Sequence, residues 1–367
     1  MQRRKKSRGF SLVELLVAIL CGSVVVAAAV QLFKNVSDTN QLGTNRIDIQ
    51  QNARSALSIL SRDLSQSSIG IPQSGIALPS GVGSNGAALF GCSSAQCYFF
   101  PPSNAYTNNL LPPVGPHQAI GGFGTDAVTV AYLDATWPVN NLSLTALAVD
   151  GSSITVNTGT FDGSGNAVAA PVGRTYQDTI LGTKVGDVLM LTNTNGTAVA
   201  TVTGVSAAGQ ILLAAGDPLN LNQTGATSGN VAHLNDPVTN VYPLTSAARL
   251  NVVTYFIQNG PDSKPNTADD QPILMRQVNA QPAIPIAENV TNLQLTYDVY
   301  DASAVAPATP YTAGLLGSAV ANTSLIRKIN VLLTLRSQFP AANGQFQTLT
   351  VTTAVAPRDL SFSNRYK

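Results

Sequence analysis

From Leu15 to Phe33 the chain runs 19 residues without a charge. As an α-helix rising ~1.5 Å per residue, that stretch spans roughly 28 Å, about one hydrocarbon core. Just before it, Arg3, Arg4, Lys5, Lys6 and Arg8 place five of the 20 Lys and Arg residues within the first eight positions. A basic leader of this kind stays on the cytoplasmic side of a membrane. Everything after Phe33 must then lie across the membrane or be released from it. The composition agrees with an exported chain of low charge. Only 11% of the residues are charged, against about a quarter in an average soluble domain, yet 44% are apolar, which excludes charge-driven disorder. Without residues 1–9, 15 cations face 19 acids, so nucleic acid is not expected as a partner. Two histidines, His117 and His233, leave little for a Ser-His-Asp site.

Three readings of the N-terminal segment compete. It has the basic start, apolar run and small residues (Ala27, Ala28, Ala29) of a cleaved secretory signal. It also has the length of a plain membrane anchor. Neither gives a task to Glu14, although a carboxylate inside a membrane helix costs on the order of 2.5–3.5 kcal/mol at its centre. The third reading rests on Lys6-Ser7-Arg8-Gly9-Phe10-Ser11-Leu12-Val13-Glu14-Leu15. This stretch resembles the class III leader of type IV pilins and of the related type II secretion pseudopilins. The resemblance implies that a membrane-embedded prepilin peptidase cuts between Gly9 and Phe10 and methylates the new amino terminus at Phe10. Glu14 becomes the fifth mature residue. It then pairs with its own terminus, or with the Phe10 ammonium of a neighbouring subunit, setting the axial register during assembly.

The helix need not end at Phe33. A polar stretch, Lys34 to Asn45, contains Gly43 as a soft point. Beyond it Ile49, Ala53, Ala56, Leu57, Leu60 and Leu64 recur at spacings of three and four, with Arg54, Arg62 and Asp63 expected to face elsewhere. Ser67 to Pro72 closes the pattern, with Gly70 as the capping residue. Residues 10–68 thus read as one long, bent helix. Gln51-Asn52-Ala53-Arg54-Ser55-Ala56-Leu57 and Leu60-Ser61-Arg62-Asp63-Leu64 resemble the matching stretch of PilW-like minor pilins, and GspJ-like pseudopilins show a related segment.

Past Pro72 the chain reads as β-structure with long polar loops. The expected fold is α+β: a long N-terminal helix, membrane half and amphipathic half, packed on an antiparallel β-sheet head with an inserted β-rich region. The divisions are 1–9 cleaved leader, 10–33 transmembrane and assembly helix, 34–69 amphipathic helix, 70–141 loop-rich start of the head, 142–246 inserted β-rich region and 247–367 C-terminal sheet. Strands are expected at Ala127–Tyr132, Val188–Leu191, Ala198–Val202, Ile211–Leu213, Val252–Ile257 and Leu293–Val299. Ile329–Leu335 and Phe346–Thr352 should form an antiparallel pair. Ser74 to Pro116 reads as an extended surface loop.

Four features of the head bear on chemistry. Cys92 and Cys97 are expected to form a disulfide outside the cytoplasm; two free thiols are the alternative, and no His or further Cys nearby favours a metal pair. Cys21, inside the apolar helix, reads as a small apolar residue. The loop Gly260 to Asp270 gathers Asp262, Asn266, Asp269 and Asp270, hard oxygen donors that suit structural calcium, or else a solvated turn. Gly81-Val82-Gly83-Ser84-Asn85-Gly86 has the letters of a dinucleotide loop but no strand before it or helix after it, so a flexible loop is expected. Tyr98-Phe99-Phe100 reads as core, with an exposed adhesive patch as the alternative.

The resemblance implies a structural minor pilin, not an enzyme. It would join and help initiate a type IV pilus, at or near its tip, with the prepilin peptidase, other major and minor pilins, the inner-membrane assembly platform and the membrane itself as partners. Its place would be the bacterial inner membrane with the head in the periplasm, then the pilus or cell surface. A GspJ-like minor pseudopilin of type II secretion and a pilin-anchored surface adhesin are the alternatives.

Overall fold

The computed structural model describes residues 11–84, 89–90, 109–138, 140, 142–156, 160–161, 167–168, 182–206, 210–236, 238–239, 241–258, 271–301, 310–341 and 344–362. A single helix, α1, runs from Leu12 to Gln66 and passes through Gly43 without a break. The strands follow: β1 (Ile76–Ala77), β2 (Leu110–Leu111), β3 (Val114–His117), β4 (Ala127–Leu133), β5 (Leu142–Leu147), β6 (Ser153–Val156), β7 (Thr160–Phe161), β8 (Ala167–Val168), β9 (Val188–Asn193), β10 (Gly196–Thr201), β11 (Gly204–Val205) and β12 (Gln210–Leu212). Then come β13 (Ser246–Gln258), β14 (Ile273–Val278), β15 (Ile284–Glu288), β16 (Val290–Tyr300), β17 (Tyr311–Leu316), β18 (Ile326–Arg336), β19 (Thr348–Val355) and a short helix, α2 (Arg358–Phe362). A long apolar helix with antiparallel sheets is the α+β architecture that the sequence implies.

The chain packs as two units, Met1–Gln51 with Arg336–Leu349, and Asn52–Leu335 with Thr350–Lys367. In the first, the turn between β18 and β19 covers one side of α1. Asn45 and Ile49 are buried there, and the Asn45 amide reaches the Phe339 carbonyl at 3.5 Å. The turn braces itself: Ser337 N–H donates to Gln347 O, and the Arg336 guanidinium lies 4.6 Å from the centre of the Phe346 ring.

The second unit is organised by β13. Its later half, rich in Val, Tyr, Phe and Ile, is flanked by β4 on one side and β14 on the other. Its earlier half is flanked by β5 and β9. Where β14 ends and β9 begins, the buried Asn279 bridges the gap: its amide donates to Leu250 O and accepts from Val252 N–H. The side chain thus continues the ladder where no strand does. A second sheet orders its strands β17, β16, β18, β19, so Ile326–Arg336 and Thr348–Val355 are neighbours as expected. Asp126, just before β4, ties the two sheets, accepting from Leu295 N–H at 2.8 Å while its own N–H donates to Leu293 O.

Two expectations are corrected. Ser74 to Pro116 is not simply a surface loop: Ile76, Leu78, Leu89, Phe90 and Leu111 are buried in the core that includes Val188, Val199 and Val252. Five apolar residues spread through a Gly- and Pro-rich stretch have no period, so the pattern hid their burial. The Gly81–Gly86 segment has a packing reason for its first two glycines. At Gly83 φ is +79°, and a Cβ would lie 2.2 Å from Gly225 O, so only glycine admits that close backbone approach.

His117, at the end of β3, is buried; its Nε2 meets Thr129 Oγ1 at 2.9 Å, and Thr129 meets Thr254 at 2.8 Å. Burial lowers its pKa from 6.5 to about 3. Between those values the unfolded chain binds a proton that the native chain refuses, so stability is full above the upper value and falls as pH drops. The expected slope is up to about 1.4 kcal/mol per pH unit. Thermal midpoints measured from pH 7 down to pH 4 should therefore decline in the wild type and decline less in His117→Gln, which can keep the bond to Thr129. Equal slopes would contradict this assignment.

Candidate functional site

The functional segment begins at the first turn of α1. Ser11 is the residue before the helix, and its carbonyl accepts the first helical bond, from Leu15 N–H at 3.1 Å. Glu14, three residues on, turns back and accepts Ser11 N–H with Oε2 at 3.1 Å. This is the carboxylate arm of a capping box, which satisfies an amide that helix geometry would leave open. A plain anchor or a cleaved signal leaves Glu14 without a task; the structure gives it this one. Among the described residues Oε2 is the oxygen engaged. From Leu12 through Phe33 the large apolar side chains are exposed in the isolated chain. Among the described residues α1 is the one helix long and apolar enough to cross a membrane.

In its last turn the helix carries a buried polar cluster. Ala53, Ala56, Leu60 and Leu64 are at most 1% exposed and form the buried stripe. Burying a leucine fully contributes about 1.5–3 kcal/mol. Arg54 and Arg62 face water as expected, but Asp63 does not: it is 0% exposed. Its Oδ2 accepts from Tyr255 Oη of β13 at 2.7 Å and from Arg276 Nε of β14 at 2.7 Å. Arg62 Nε stands 3.3 Å from Oδ1, and burial together with the Asp63 charge pushes the Tyr132 phenol of β4 above its usual range. Burial and the Asp63 charge push the Tyr255 phenol well above its usual range, so it remains a neutral donor. Burial opposes the Arg276 charge, but the Asp63 carboxylate outweighs it and holds the guanidinium protonated. One carboxylate on the helix therefore collects donors from two neighbouring strands.

The helix stop lies next to this cluster. Ser68, not Gly70, is the first residue in the left-handed region, at φ +73°. Ser68 N–H donates to Ala131 O of β4 at 2.9 Å, and Leu133 N–H returns a bond to Ile69 O at 3.0 Å. Gly70 follows at φ +70°, where a Cβ would meet Leu133 Cδ1 at 2.5 Å. The chain thus leaves the helix already paired to β4.

A second buried carboxylate lies in the other sheet. Asp298 of β16 accepts from Lys328 Nζ and Tyr311 Oη, both at 2.6 Å, and from Gly314 N–H and Asn330 Nδ2, both at 2.9 Å. Burial raises its pKa, but these four donors together lower it to about 2, so it stays ionised.

Several expected site residues lie outside the described residues: Gly9 and Phe10 at the processing point, Cys92 and Cys97, the oxygen donors Asp262, Asn266, Asp269 and Asp270, and the aromatic run Tyr98 to Phe100. Among the described residues no group of three or more His, Cys, Asp or Glu side chains is placed to hold a metal ion.

Removing Asp63 should leave the buried Arg276 charge without a counter-ion, with only its 3.2 Å bond to Tyr255 Oη. Asp63→Ala is expected to cost about 3–5 kcal/mol in denaturant unfolding of the full chain in detergent. The double change Asp63→Leu with Arg276→Met should cost much less, because it removes both charges together. A single variant within about 1 kcal/mol of wild type would show that the cluster is not a buried ion pair in solution.

Residues 4–30 match the family model described as a prokaryotic N-terminal methylation motif. No curated protein and no solved structure matches the chain. The matched stretch contains the Gly9–Phe10 junction, Glu14 and most of the apolar run. Such a leader implies processing by a prepilin peptidase and assembly with pilins, and with the apolar helix it is consistent with a membrane-anchored protein. The motif supports a type IV pilin-like or pseudopilin protein.

Proposed function

We propose that this chain is a structural, non-enzymatic minor pilin of a type IV pilus, placed at or near the tip and active in starting assembly. The observation that carries the assembly role is the place of Glu14: in the first turn of an exposed apolar helix, inside a methylation motif, with one carboxylate oxygen spent on Ser11. Cutting after Gly9 would create an ammonium one residue before that amide. With its other oxygen, Glu14 of one subunit accepts the Phe10 ammonium of the next. In a low-dielectric membrane two lone charges are far costlier than a pair, so subunits align in the register that makes the pair. The large head, with its β5–β12 region, supports the pilus reading over a secretion pseudopilin.

Glu14→Ala tests the role. Processing should proceed, because the cut lies before Phe10, while incorporation into sheared filaments should fall sharply. Ser11 capping is a separate effect, and Glu14→Gln distinguishes it: the amide oxygen still accepts Ser11 N–H but cannot pair with an ammonium. Both variants should fail to assemble. Normal incorporation of Glu14→Gln would overturn the pairing role.

A further inference from the structure

The outer face of the four-stranded sheet holds a groove of about 490 Å³ with an uncharged lining. Strand register builds its floor. Gln294 of β16 stands opposite Leu332 of β18, and Thr296 opposite Asn330. On the neighbouring strand Thr350 meets Thr334 at 3.0 Å, which brings Thr352 and Ala354 alongside the same two rows. Two rows across three strands make a patch of about 10 Å by 7 Å. That footprint fits one or two pyranose rings, and the volume falls within the range of small-ligand sites.

The patch is preorganised. Asn330 donates from Nδ2 to Asp298 Oδ1 at 2.9 Å and to Thr296 Oγ1 at 3.4 Å, which leaves its carbonyl oxygen as an acceptor open to a ligand. Asp298 is buried and itself fixed by Lys328, Tyr311 and the Gly314 amide, so a fixed carboxylate holds the Asn330 amide in place. Gln294 is exposed and its amide has no hydrogen-bond partner among the described residues. Thr352 and Thr353 add hydroxyls at the rim, while Leu332 and Ala354 give an apolar floor. Lys328, two residues from Asn330 on β18, is already paired with Asp298 at 2.6 Å. Planar amides and hydroxyls over an apolar floor, with the adjacent charge neutralised, match vicinal hydroxyls above sugar C–H faces and supply no cation to pair with an anion.

We infer that this face binds a neutral saccharide, with Asn330 and Gln294 as its principal polar contacts and Leu332 beneath the ring. The inference does not depend on the pilin reading, since it uses only the head. The test is saturation-transfer NMR on the full chain in a detergent without a sugar headgroup. The probes are lactose, cellobiose and diacetylchitobiose, with glucuronate as the charged comparison. At least one neutral disaccharide should show saturable transfer, weakened about tenfold or more by Asn330→Ala and by Gln294→Ala. Gln294→Ala should leave the thermal midpoint unchanged, which separates lost binding from lost folding. No saturable transfer from any neutral sugar, transfer from glucuronate alone, or unchanged affinity in both variants would overturn the inference. A photo-crosslinker at Thr352 that captures another subunit in assembled filaments would overturn it too, by showing that protein covers the face.

Discussion

The Asp63 carboxylate is the interaction on which the helix–head join depends. It is buried on the helix stripe and takes donors from Tyr255 and Arg276, which belong to the central strand and its neighbour. An ion pair removed from water is weak evidence for stability, because desolvation offsets much of the attraction. Its value here is geometric. A stripe of Ala53, Ala56, Leu60 and Leu64 would tolerate sliding or rotation of the helix over an apolar sheet. One carboxylate that must meet fixed donors on two strands admits a single register. The Ser68 and Ile69 bonds to β4 then fix the exit of the chain within a few residues of that carboxylate.

Much of the helix was legible before the structure. Charge counting located the apolar segment, and spacings of three and four located the buried stripe. Asp63 was misplaced because its chemistry outweighed its position in the reading. It falls three residues after Leu60 and seven after Ala56, squarely on the stripe. The period alone would have put it inside. What periodicity cannot reveal is the partner: Arg276 lies 213 residues away and reaches Asp63 only through the sheet.

The head was legible by strand and not by pairing. β-branched runs marked β4, β9, β13, β16 and β18, since such residues suit a pleated, half-buried surface. Nothing local says that β13 serves different partners along its two halves, or that Asn279 completes the ladder between them. Short strands such as β1 and β2 escaped notice because two residues give no alternation to read. The groove on β16, β18 and β19 escaped for the same reason: its lining is a register property, made of Thr, Gln and Asn side chains that look alike in any loop. Glu14, by contrast, was visible as an anomaly, a lone carboxylate at the head of an apolar run, and the capping bond to Ser11 gives that anomaly a local cause.

On the proposed function, the basic leader is a targeting charge, the apolar helix serves the membrane and then the filament, and a buried ion pair seats the head on the end of the helix. That function requires a cut between Gly9 and Phe10. Mass spectrometry of the mature protein's N-terminal peptide tests this most directly. The account predicts a peptide beginning at N-methylated Phe10. A mature chain beginning at Val30, after the Ala27 to Ala29 stretch, or an intact Met1 in assembled material, would contradict it.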